Sequence, residues 1–358
     1  MKRTKKLLLY VLLALSFATA VITISAAIGR LADNKLKKGQ NLFGGYGELH
    51  SVSRSHDVIY PLFYDDTNIY AVLDERKLCS FDIKSGKAHS ICMRPLCRHS
   101  DSPDCTLYKL YDSDFLEFFS IDDKFYYYSK KDDVFILNEW DILRNEHNTV
   151  YDKIPAFTEL TDNSGMEVKI HDSISSLERI NDETIMIYAG SQVYLLDNDF
   201  ILKGQFFCGS GQSFAWTENE IFWIQGVDFC VYEIDTGKIC ENVLMASADR
   251  TMKPSSTNYY GYNNRLYFTF EDKIMSYEHK SGSISEVTDI TENNHFSLLD
   301  GKIFHYADGN IVCRDIEKGS ITTMSDMTDV PTAYTDKYLI QYNSLTIELF
   351  DFNGEKVI

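Results

Sequence analysis

Hydrophobic and polar residues alternate along most of this chain in a phrase that recurs between residues 63 and 339. Each copy begins with an apolar run, which is followed by one or two residues of the Asp, Asn, Glu or Gly type. A second apolar or aromatic run comes next, and then a third apolar run. Short alternating runs bounded by polar turn residues predict β-strands joined by hairpins. The copies centre on residues 63–70, 120–126, 180–186, 216–222, 262–267, 299–304 and 334–339.

The third run of several copies leads into a glycine-containing turn, as in the segments 82–87, 235–238, 280–283 and 317–320. Such turns close hairpins, so each copy predicts four short strands. A period of roughly forty residues with four strands is typical of a β-propeller, whose blades bury their faces only against neighbouring blades. The sequence therefore predicts an all-β, seven-bladed β-propeller that occupies residues 52–358 as one domain. A β-sandwich is the alternative, but it requires no such self-similarity.

Residues 1–29 predict a signal anchor or a signal peptide in front of the propeller. Basic residues at positions 2–6 precede an uncharged apolar stretch over residues 7–28, which is long enough to cross a bilayer as a helix. An uncleaved anchor predicts a single-pass protein of the cell membrane with its C-terminal domain outside. Cleavage after small residues such as Ala18–Ala20 predicts secretion instead. Residues 30–51 mix basic side chains with glycines and predict a tether.

The charge of the exported part restricts its partners. The first 38 residues contain eight basic side chains and one acidic one, so the rest of the chain has 27 basic and 52 acidic residues and a formal charge of −25. Such a field repels nucleic acid, which makes binding to a phosphate backbone a poor hypothesis. We expect a protein or a glycan at the cell surface as the partner.

The period is broken by two insertions, near residues 92–114 and 141–174. Part of each should join the last strand of one blade to the first strand of the next, which would place both on one face of the ring. Insertions on one face of a repeat protein often carry binding residues. The candidates for a binding face are Tyr108, Tyr111, Trp140 and Phe157.

The first insertion contains the densest group of metal-ligating residues. Cys92, Cys97, His99 and Cys105 can supply a Cys₃His zinc site, and Cys79 is a further candidate from the preceding strand. In an oxidising exterior the same cysteines can close disulfides instead, and free thiols are the third alternative. Zinc at this loop is the only cofactor that the sequence suggests.

A second cysteine pair flanks a predicted hairpin turn. Cys230 and Cys240 lie on either side of Asp235–Gly237 and are candidates for a cross-strand disulfide if their side chains share a face. Buried, reduced thiols are the equal alternative.

The repeats resemble those of the YWTD-like β-propellers of the low-density-lipoprotein-receptor type. The segments closest to that tetrad are Ala215–Glu218 and Ala333–Asp336, and the likeness covers the repeat frame of residues 55–358. The phrase Pro95–His99 also resembles one in uncharacterised exported propeller proteins of anaerobic Gram-positive bacteria. The resemblance implies a ring used for binding, with the ligand left open.

Motifs of catalysis are scarce. The sequence has no His-Glu-x-x-His segment, no phosphate-binding loop ending in Gly-Lys-Ser or Gly-Lys-Thr, and no EF-hand loop. No residue is therefore assigned as catalytic, and we favour a non-catalytic binding or sensing module. The alternatives are a propeller glycosidase or polysaccharide lyase, and a structural partner of an envelope protein complex.

We expect Cys92, Cys97 and Cys105 to be paired in disulfides or held on a metal, because a loop with so few apolar residues lacks the burial to order itself. Intact-mass measurement after thiol alkylation, with metal analysis of the same sample, tests this expectation. Three alkylated thiols without bound metal would contradict it.

Overall fold

The computed structural model describes the chain from His50 onward, and every regular element among the described residues is a β-strand. The described segments are 50–51, 53–54, 63–73, 77–90, 118–121, 124–141, 146–155, 157–161, 167–171, 174–208, 214–225, 228–240, 245–247, 250–252, 259–291, 295–342 and 347–358.

The strands form seven blades, each an antiparallel sheet in which neighbouring strands follow chain order. Two short strands come first, β1 (His50–Ser51) and β2 (Ser53–Arg54). Blade 1 contains β3 (Phe63–Tyr64), β4 (Asn68–Leu73), β5 (Lys77–Asp82) and β6 (Lys87–Ser90). Blade 2 contains β7 (Phe118–Ile121), β8 (Lys124–Lys131), β9 (Val134–Asp141) and β10 (Glu146–Pro155). A separate hairpin follows, β11 (Phe157–Thr161) with β12 (Glu167–His171).

The later blades repeat this plan. Blade 3 contains β13 (Ile174–Asn181), β14 (Thr184–Ala189), β15 (Gln192–Leu196) and β16 (Leu202–Phe207). Blade 4 contains β17 (Phe214–Trp216), β18 (Glu220–Gln225), β19 (Asp228–Glu233) and β20 (Lys238–Cys240), and the hairpin of β21 (Met245–Ser247) and β22 (Arg250–Met252) follows it. Blade 5 contains β23 (Tyr259–Tyr262), β24 (Arg265–Phe270), β25 (Lys273–Glu278) and β26 (Ser283–Asp289). Blade 6 contains β27 (Phe296–Leu299), β28 (Lys302–Ala307), β29 (Asn310–Asp315) and β30 (Ile321–Met324), and blade 7 contains β31 (Ala333–Tyr334), β32 (Leu339–Tyr342) and β33 (Ile347–Phe350) with β2.

The seven-bladed propeller predicted from the repeats is confirmed. First strands of neighbouring blades lie against each other, β7 with β13 and β17 with β23, so the first strands surround the centre of the ring. The backbones approach closely there, since a Cβ atom on Gly261 would overlap the carbonyl oxygen of Trp216. Glycine is required at that position by the lack of space.

The recurring sequence phrase is the turn between the first and second strands of a blade. In blade 1, Asp65 Oδ1 accepts hydrogen bonds from the backbone N–H groups of Thr67 at 2.7 Å and Asn68 at 2.8 Å. Blade 7 has the same arrangement, with Thr335 Oγ1 as the acceptor at 3.1 and 3.0 Å. Blade 5 instead has Asn263 and Asn264 with φ of 47° and 58°, the conformation of a two-residue hairpin turn. Polar residues of this type recur because each turn needs a side-chain acceptor or a positive φ.

The core is divided into apolar clusters that lie between blades. One cluster joins blades 4 and 5 through Phe222 and Val231 on one side and Leu266, Phe268 and Met275 on the other. Similar clusters join blades 2 and 3, 3 and 4, 5 and 6, and 6 and 7. Burial of one such side chain contributes about 1.5–3 kcal/mol, so each interface stabilises both of its blades.

The ring is closed between blades 1, 2 and 7. The rings of Phe63 in blade 1 and Phe125 in blade 2 lie 4.0 Å apart, centroid to centroid. Ile69 and Phe81 of blade 1 share a buried cluster with Ile340 and Leu349 of blade 7. At the surface of the same interface, Lys337 Nζ lies 2.9 Å from Asp66 Oδ1.

The N-terminal strands add a backbone link at this closure. Strand β1 pairs with β3 of blade 1, and β2 pairs with β31 of blade 7, both antiparallel. The apolar positions Val52, Val58, Ile59 and Tyr60 predict sheet pairing over residues 52–60, and the observed pairing begins at His50 and includes Ser53–Arg54. All four of these apolar positions lie outside the described residues.

Both extra hairpins connect the fourth strand of one blade to the first strand of the next. The hairpin β11–β12 lies between β10 and β13, and β21–β22 lies between β20 and β23. Because strand direction alternates, all connections of this kind start and end on one face of the ring. The turn between third and fourth strands, such as 234–237, belongs to the opposite face.

The predicted membrane or signal helix, residues 1–29, and most of the predicted tether lie outside the described residues. Among the residues that are described, none forms a helix with the length and hydropathy of a bilayer crossing.

The pairing of β1 and β2 generates a truncation prediction. Deletion through residue 45 should leave a folded propeller, whereas deletion through residue 62 removes both strands that link blades 7 and 1 and should lower the melting temperature or abolish cooperative melting. Thermal unfolding followed by circular dichroism compares the two. Identical melting curves would show that this link does not hold the ring closed.

His305 in β28 generates a pH prediction. Its side chain is buried, its Nδ1–H donates to the carbonyl oxygen of Tyr306, and burial lowers its pKa below the usual 6.5. A buried imidazole with a lowered pKa takes up its proton more readily in the unfolded chain, so stability is lost as the pH falls through the ordinary histidine pKa. His305→Asn removes this titration. Between pH 7.5 and 5.5, wild type should lose roughly 1–3 °C of melting temperature relative to the variant, and parallel pH profiles would contradict the account.

Candidate functional site

Several candidate residues named from the sequence lie outside the described residues. These are Cys92, Cys97, His99, Cys105, Tyr108 and Tyr111, and Phe157 begins β11 with its side chain not described. Their assignment to a disulfide, a metal or a binding face stays a prediction. Cys79 lies in β5 and is buried in the cluster between blades 7 and 1.

Trp140 occupies a covered position. Its side chain is 3% exposed in β9, where it lies against Phe125 and stacks on His147 with centroids 5.6 Å apart. The Trp140 side chain therefore packs on its own blade in this structure. The sequence suggested it as a candidate contact for a binding partner.

The structure does not bring Cys230 and Cys240 together. Cys240 is opposite Val231 in the β19–β20 register, one residue away from Cys230. A shift of one residue turns a side chain to the other face of a strand. Cys230 accordingly packs toward blade 3, and Cys240 packs toward blade 5 with a free thiol. The condition for a cross-strand disulfide, that both side chains share a face, is therefore not met in this register.

Three potential metal-ligating side chains meet between blades 4 and 5. Glu233 Oε1 lies 3.7 Å from His279 Nε2 and 3.9 Å from Cys240 Sγ, and the three ligand atoms all lie within 4.8 Å of one another. The side chains of His279 and Glu233 are 14% and 28% exposed, and Cys240 is half-buried. We call these residues the inter-blade cluster.

Local structure places each member of the cluster. Glu233 ends β19 and is followed by a turn closed by the N–H of Gly237, which donates to the Glu233 carbonyl at 2.9 Å. Thr236 Oγ1 in that turn donates to Glu233 Oε2 at 2.8 Å. Cys240 is the last residue of β20, and His279 follows β25 of blade 5. One hairpin therefore supplies two donors, and the next blade supplies the third.

Electrostatics favour the protonation states that a metal needs. The hydrogen bond from Thr236 lowers the pKa of the Glu233 carboxyl, with Lys238 and His279 adding to the effect. Burial lowers the pKa of His279 against the opposing attraction of Glu233. At neutral pH the pair is therefore a carboxylate beside a neutral imidazole, and both forms are able to ligate a cation.

A second acidic side chain, Glu220, lies behind the cluster. Glu220 in β18 is directly opposite Glu233 in the sheet register, so both side chains lie on the face turned to blade 5. Glu220 is 2% exposed, and its Oε1 has no hydrogen-bond partner among the described residues. Burial raises its pKa. The pKa of Tyr277 in blade 5 is raised mainly by burial, and Glu220 and Cys240 add smaller contributions. Glu220, Cys240 and Tyr277 therefore lie near one another between blades 4 and 5.

The arrangement differs from a nucleophilic triad. In such a triad, the histidine lies between the nucleophile and the carboxylate and removes the proton of the nucleophile. Here Glu233 Oε1 is 3.9 Å from the Cys240 thiol and 3.7 Å from the His279 ring, so the three ligand atoms form a triangle with no side longer than 4.8 Å. The geometry suits ligation of a cation better than activation of the thiol.

A cleft of about 760 Å³ lies between blades 2 and 3. Two of its cations have partners within the cleft: Lys124 Nζ lies 2.9 Å from Glu139 Oε2, and Arg179 Nη1 donates to Asn198 Oδ1 at 2.9 Å. The inter-blade cluster gathers three ligating side chains at short distances, and it is the better candidate site.

Sequence reasoning missed the cluster because its members belong to two repeats. Glu233 and Cys240 flank one turn, but His279 follows the third strand of the next blade. A signal was present in the repeat frame: three residues before the turn glycine stand Ile83, Ile234 and Ile316 in blades 1, 4 and 6, and His279 takes that position in blade 5.

No protein-family model matches the chain, and no curated protein matches it. Solved structures with a similar fold include the β-propeller domain of the Trilobed protease from Pyrococcus furiosus, at 14% identity and a TM-score of 0.45 over 88% of this chain and 98% of that one. PorZ, a bacterial surface component of the type-IX secretion system of Porphyromonas gingivalis, aligns at 11% identity and a TM-score of 0.47 over 87% of this chain and 39% of its own. Acylaminoacyl peptidase from Pyrococcus horikoshii aligns at 12% identity and a TM-score of 0.45, over 81% of this chain and 50% of its own. At such low identities and TM-scores, the similarity concerns the fold alone. The propeller assignment rests on the seven blade sheets of this structure.

Proposed function

We propose that this protein is a non-catalytic binding or sensing module, a propeller tethered outside the cell membrane that binds a protein or a glycan at the cell surface. One observation carries the proposal: the two faces of the ring are built differently. The hairpins β11–β12 and β21–β22 both belong to the connections between blades, on one face. On the opposite face, described turns such as 234–237 and 279–282 are tight. We call the face with the hairpins the insertion face.

The topology supports the insertion face as a binding surface. Loops on a rigid scaffold are free to vary without disturbing the core, and binding residues are found on them disproportionately. The two-stranded sheet β11–β12 pairs with no blade strand, so its backbone is not part of the blade ladders. The connection from β6 to β7, which contains Cys92, Cys97, His99 and Cys105, joins the same kinds of strand and starts and ends on this face.

Two sequence features define the setting of the proposal. The apolar segment 7–28 supplies the membrane tether, and the charge of −25 on residues 39–358 favours neutral or cationic partners over nucleic acid. We also infer that the repeats are of the YWTD-like type. In support, Thr335 of the Ala333–Asp336 segment caps its turn through two backbone N–H groups.

The rival functions make different demands on the structure. A propeller glycosidase or lyase needs carboxylates, histidines or arginines that converge at the mouth of the central channel. The inter-blade cluster lies instead at the end of third and fourth strands, away from the first strands that surround the centre. A structural partner of an envelope complex needs a protein contact but no glycan contact.

Hydrogen exchange of the full chain tests the proposal, with cell-wall fragments of the source organism in one arm and its extracted surface proteins in the other. We expect protection in β11–β12, β21–β22 or the β6–β7 connection, and none in the turns 82–87 and 234–237. Replacing residues 156–172 by a short Gly-Ser-Gly linker should weaken binding about tenfold or more if this hairpin is in contact.

The matched control is a substitution on the opposite face, Ser281→Ala in the blade 5 turn, which should leave binding unchanged. Protection confined to residues 260–350 would place the site elsewhere. Hydrolysis of the glycan would overturn the non-catalytic assignment, and protection by surface proteins alone would favour the structural partner.

A further inference from the structure

We propose that a divalent transition-metal ion of the zinc class binds between blades 4 and 5, ligated by Cys240 Sγ, His279 Nε2 and Glu233 Oε1, with the buried Glu220 carboxyl balancing its charge. The proposal is independent of the binding role of the insertion face. It concerns a site distinct from the loop of Cys92, Cys97, His99 and Cys105.

The donor set selects the class of metal. A thiolate and an imidazole are ligands of Zn²⁺ and other borderline transition metals, whereas Ca²⁺ and Mg²⁺ require oxygen ligands. The donor atoms are already gathered, with the Glu233 carboxylate 3.7 Å from the imidazole and 3.9 Å from the thiol. Closure onto an ion requires movements of about 1 Å or less, since Zn–N and Zn–O distances are about 2.0–2.2 Å and Zn–S about 2.3 Å.

Two of the three proposed ligands are held in place by hydrogen bonds from neighbouring side chains. Thr236 Oγ1 fixes the second oxygen of the Glu233 carboxylate, and Tyr277 Oη lies 3.3 Å from His279 Nδ1. A metal-bound histidine uses its other ring nitrogen in a hydrogen bond of this kind, which sets its tautomer and orientation. The cluster therefore has outer partners for two of its three ligands.

Comparison between blades shows what is unusual here. In blades 1 and 6, the acidic residue that ends the third strand is opposite an amide or a lysine, as Asp82 is opposite Asn68 and Asp315 is opposite Lys302. In blade 5, Glu278 forms an ion pair with Arg265 at 3.7 Å. In blade 4, Glu233 is opposite a second acid, Glu220.

Like charges directly opposite in a sheet are destabilising. Within the described residues, Lys238 and Lys280 influence these carboxylates electrostatically, but neither is in ion-pair contact with them. The Glu220 Oε1 atom is buried, and the part of the chain that the structure describes gives it no hydrogen-bond partner. A bound cation supplies the positive charge that blades 5 and 6 obtain from Arg265 and Lys302.

The histidine is also exceptional within the repeat frame. The equivalent residues Ile83, Ile234 and Ile316 pack against the preceding blade in blades 1, 4 and 6. His279 occupies this packing position in blade 5, so the side chain that elsewhere completes an apolar contact here presents a ring nitrogen to Glu233. A metal would join blade 4 to blade 5 at the point where the isoleucine contact is missing.

The test uses the full chain, reduced and stripped of metal, in two backgrounds: the wild-type sequence, and a variant with Cys92, Cys97 and Cys105 changed to serine. Zn²⁺ affinity is measured by competition with a chromophoric chelator, and Co²⁺ substitution reports thiolate ligation through its charge-transfer absorption. In the serine background we expect one equivalent of Zn²⁺, a one-thiolate Co²⁺ spectrum and a rise in melting temperature of roughly 5 °C with excess Zn²⁺.

Two ligand variants and one control make the test specific. Cys240→Ala and His279→Ile should each weaken Zn²⁺ binding at least about 100-fold. His279→Ile installs the residue that other blades have at this position and should keep the metal-free protein as stable as before, which guards against a variant that fails to fold. Cys313→Ala, which removes another free thiol, should leave the affinity unchanged.

Glu220→Gln tests whether the Glu220 carboxylate balances the charge of the metal, separately from its effect on the stability of the metal-free protein. The variant should melt higher than wild type without metal, because it removes a buried carboxyl whose Oε1 has no hydrogen-bond partner among the described residues, and it should gain less from Zn²⁺. The proposal is overturned if the serine background binds no Zn²⁺, if Cys240→Ala and His279→Ile bind it as tightly as the control, or if Ca²⁺ or Mg²⁺ gives the same rise as Zn²⁺.

Discussion

Apolar contact between neighbouring blades is the interaction on which the rest of this structure depends. A four-stranded sheet has two faces, and in a ring each face must be covered by the next blade. Strand β14 shows the consequence: Ile185 and Ile187 belong to the cluster with blade 2, and Met186 and Tyr188 belong to the cluster with blade 4. The whole strand is therefore buried, and each apolar cluster of the described residues contains side chains from two neighbouring blades.

This constraint also explains where polar chemistry is tolerated. At a strand end, the following turn can provide the hydrogen-bond partners of a buried polar group, as it does for Asp65 and Thr335. The inter-blade cluster follows the same rule, since Glu233 ends a strand and Thr236 of the following turn holds its carboxylate. What differs is that Glu220 is opposite it, so the interface between blades 4 and 5 contains paired acids beside a thiol and an imidazole.

Closure of the ring uses both ends of the described chain. Strands β1 and β2 pair along the inner edges of blades 1 and 7, while at the outer edge of blade 7 the N–H of Val357 donates to the Leu349 carbonyl at 2.8 Å. The long-range ion pair of Lys337 with Asp66 lies at the surface and contributes little beside the buried cluster. The ends are therefore held by backbone pairing and apolar packing together, leaving the connections between blades free to carry the insertions.

The sequence by itself determined the blade count and the turns, because those features are local: an acceptor or a positive φ at Asp65, Thr335 or Asn263 is needed whatever surrounds it. It did not determine which side chains share a face. Cys230 and Cys240 are near in sequence, but a register offset of one residue sends them to different interfaces. The meeting of His279 with Glu233 was decided by tertiary structure, since it requires two blades to pack face to face, and a contact between repeats is set by the geometry of the ring.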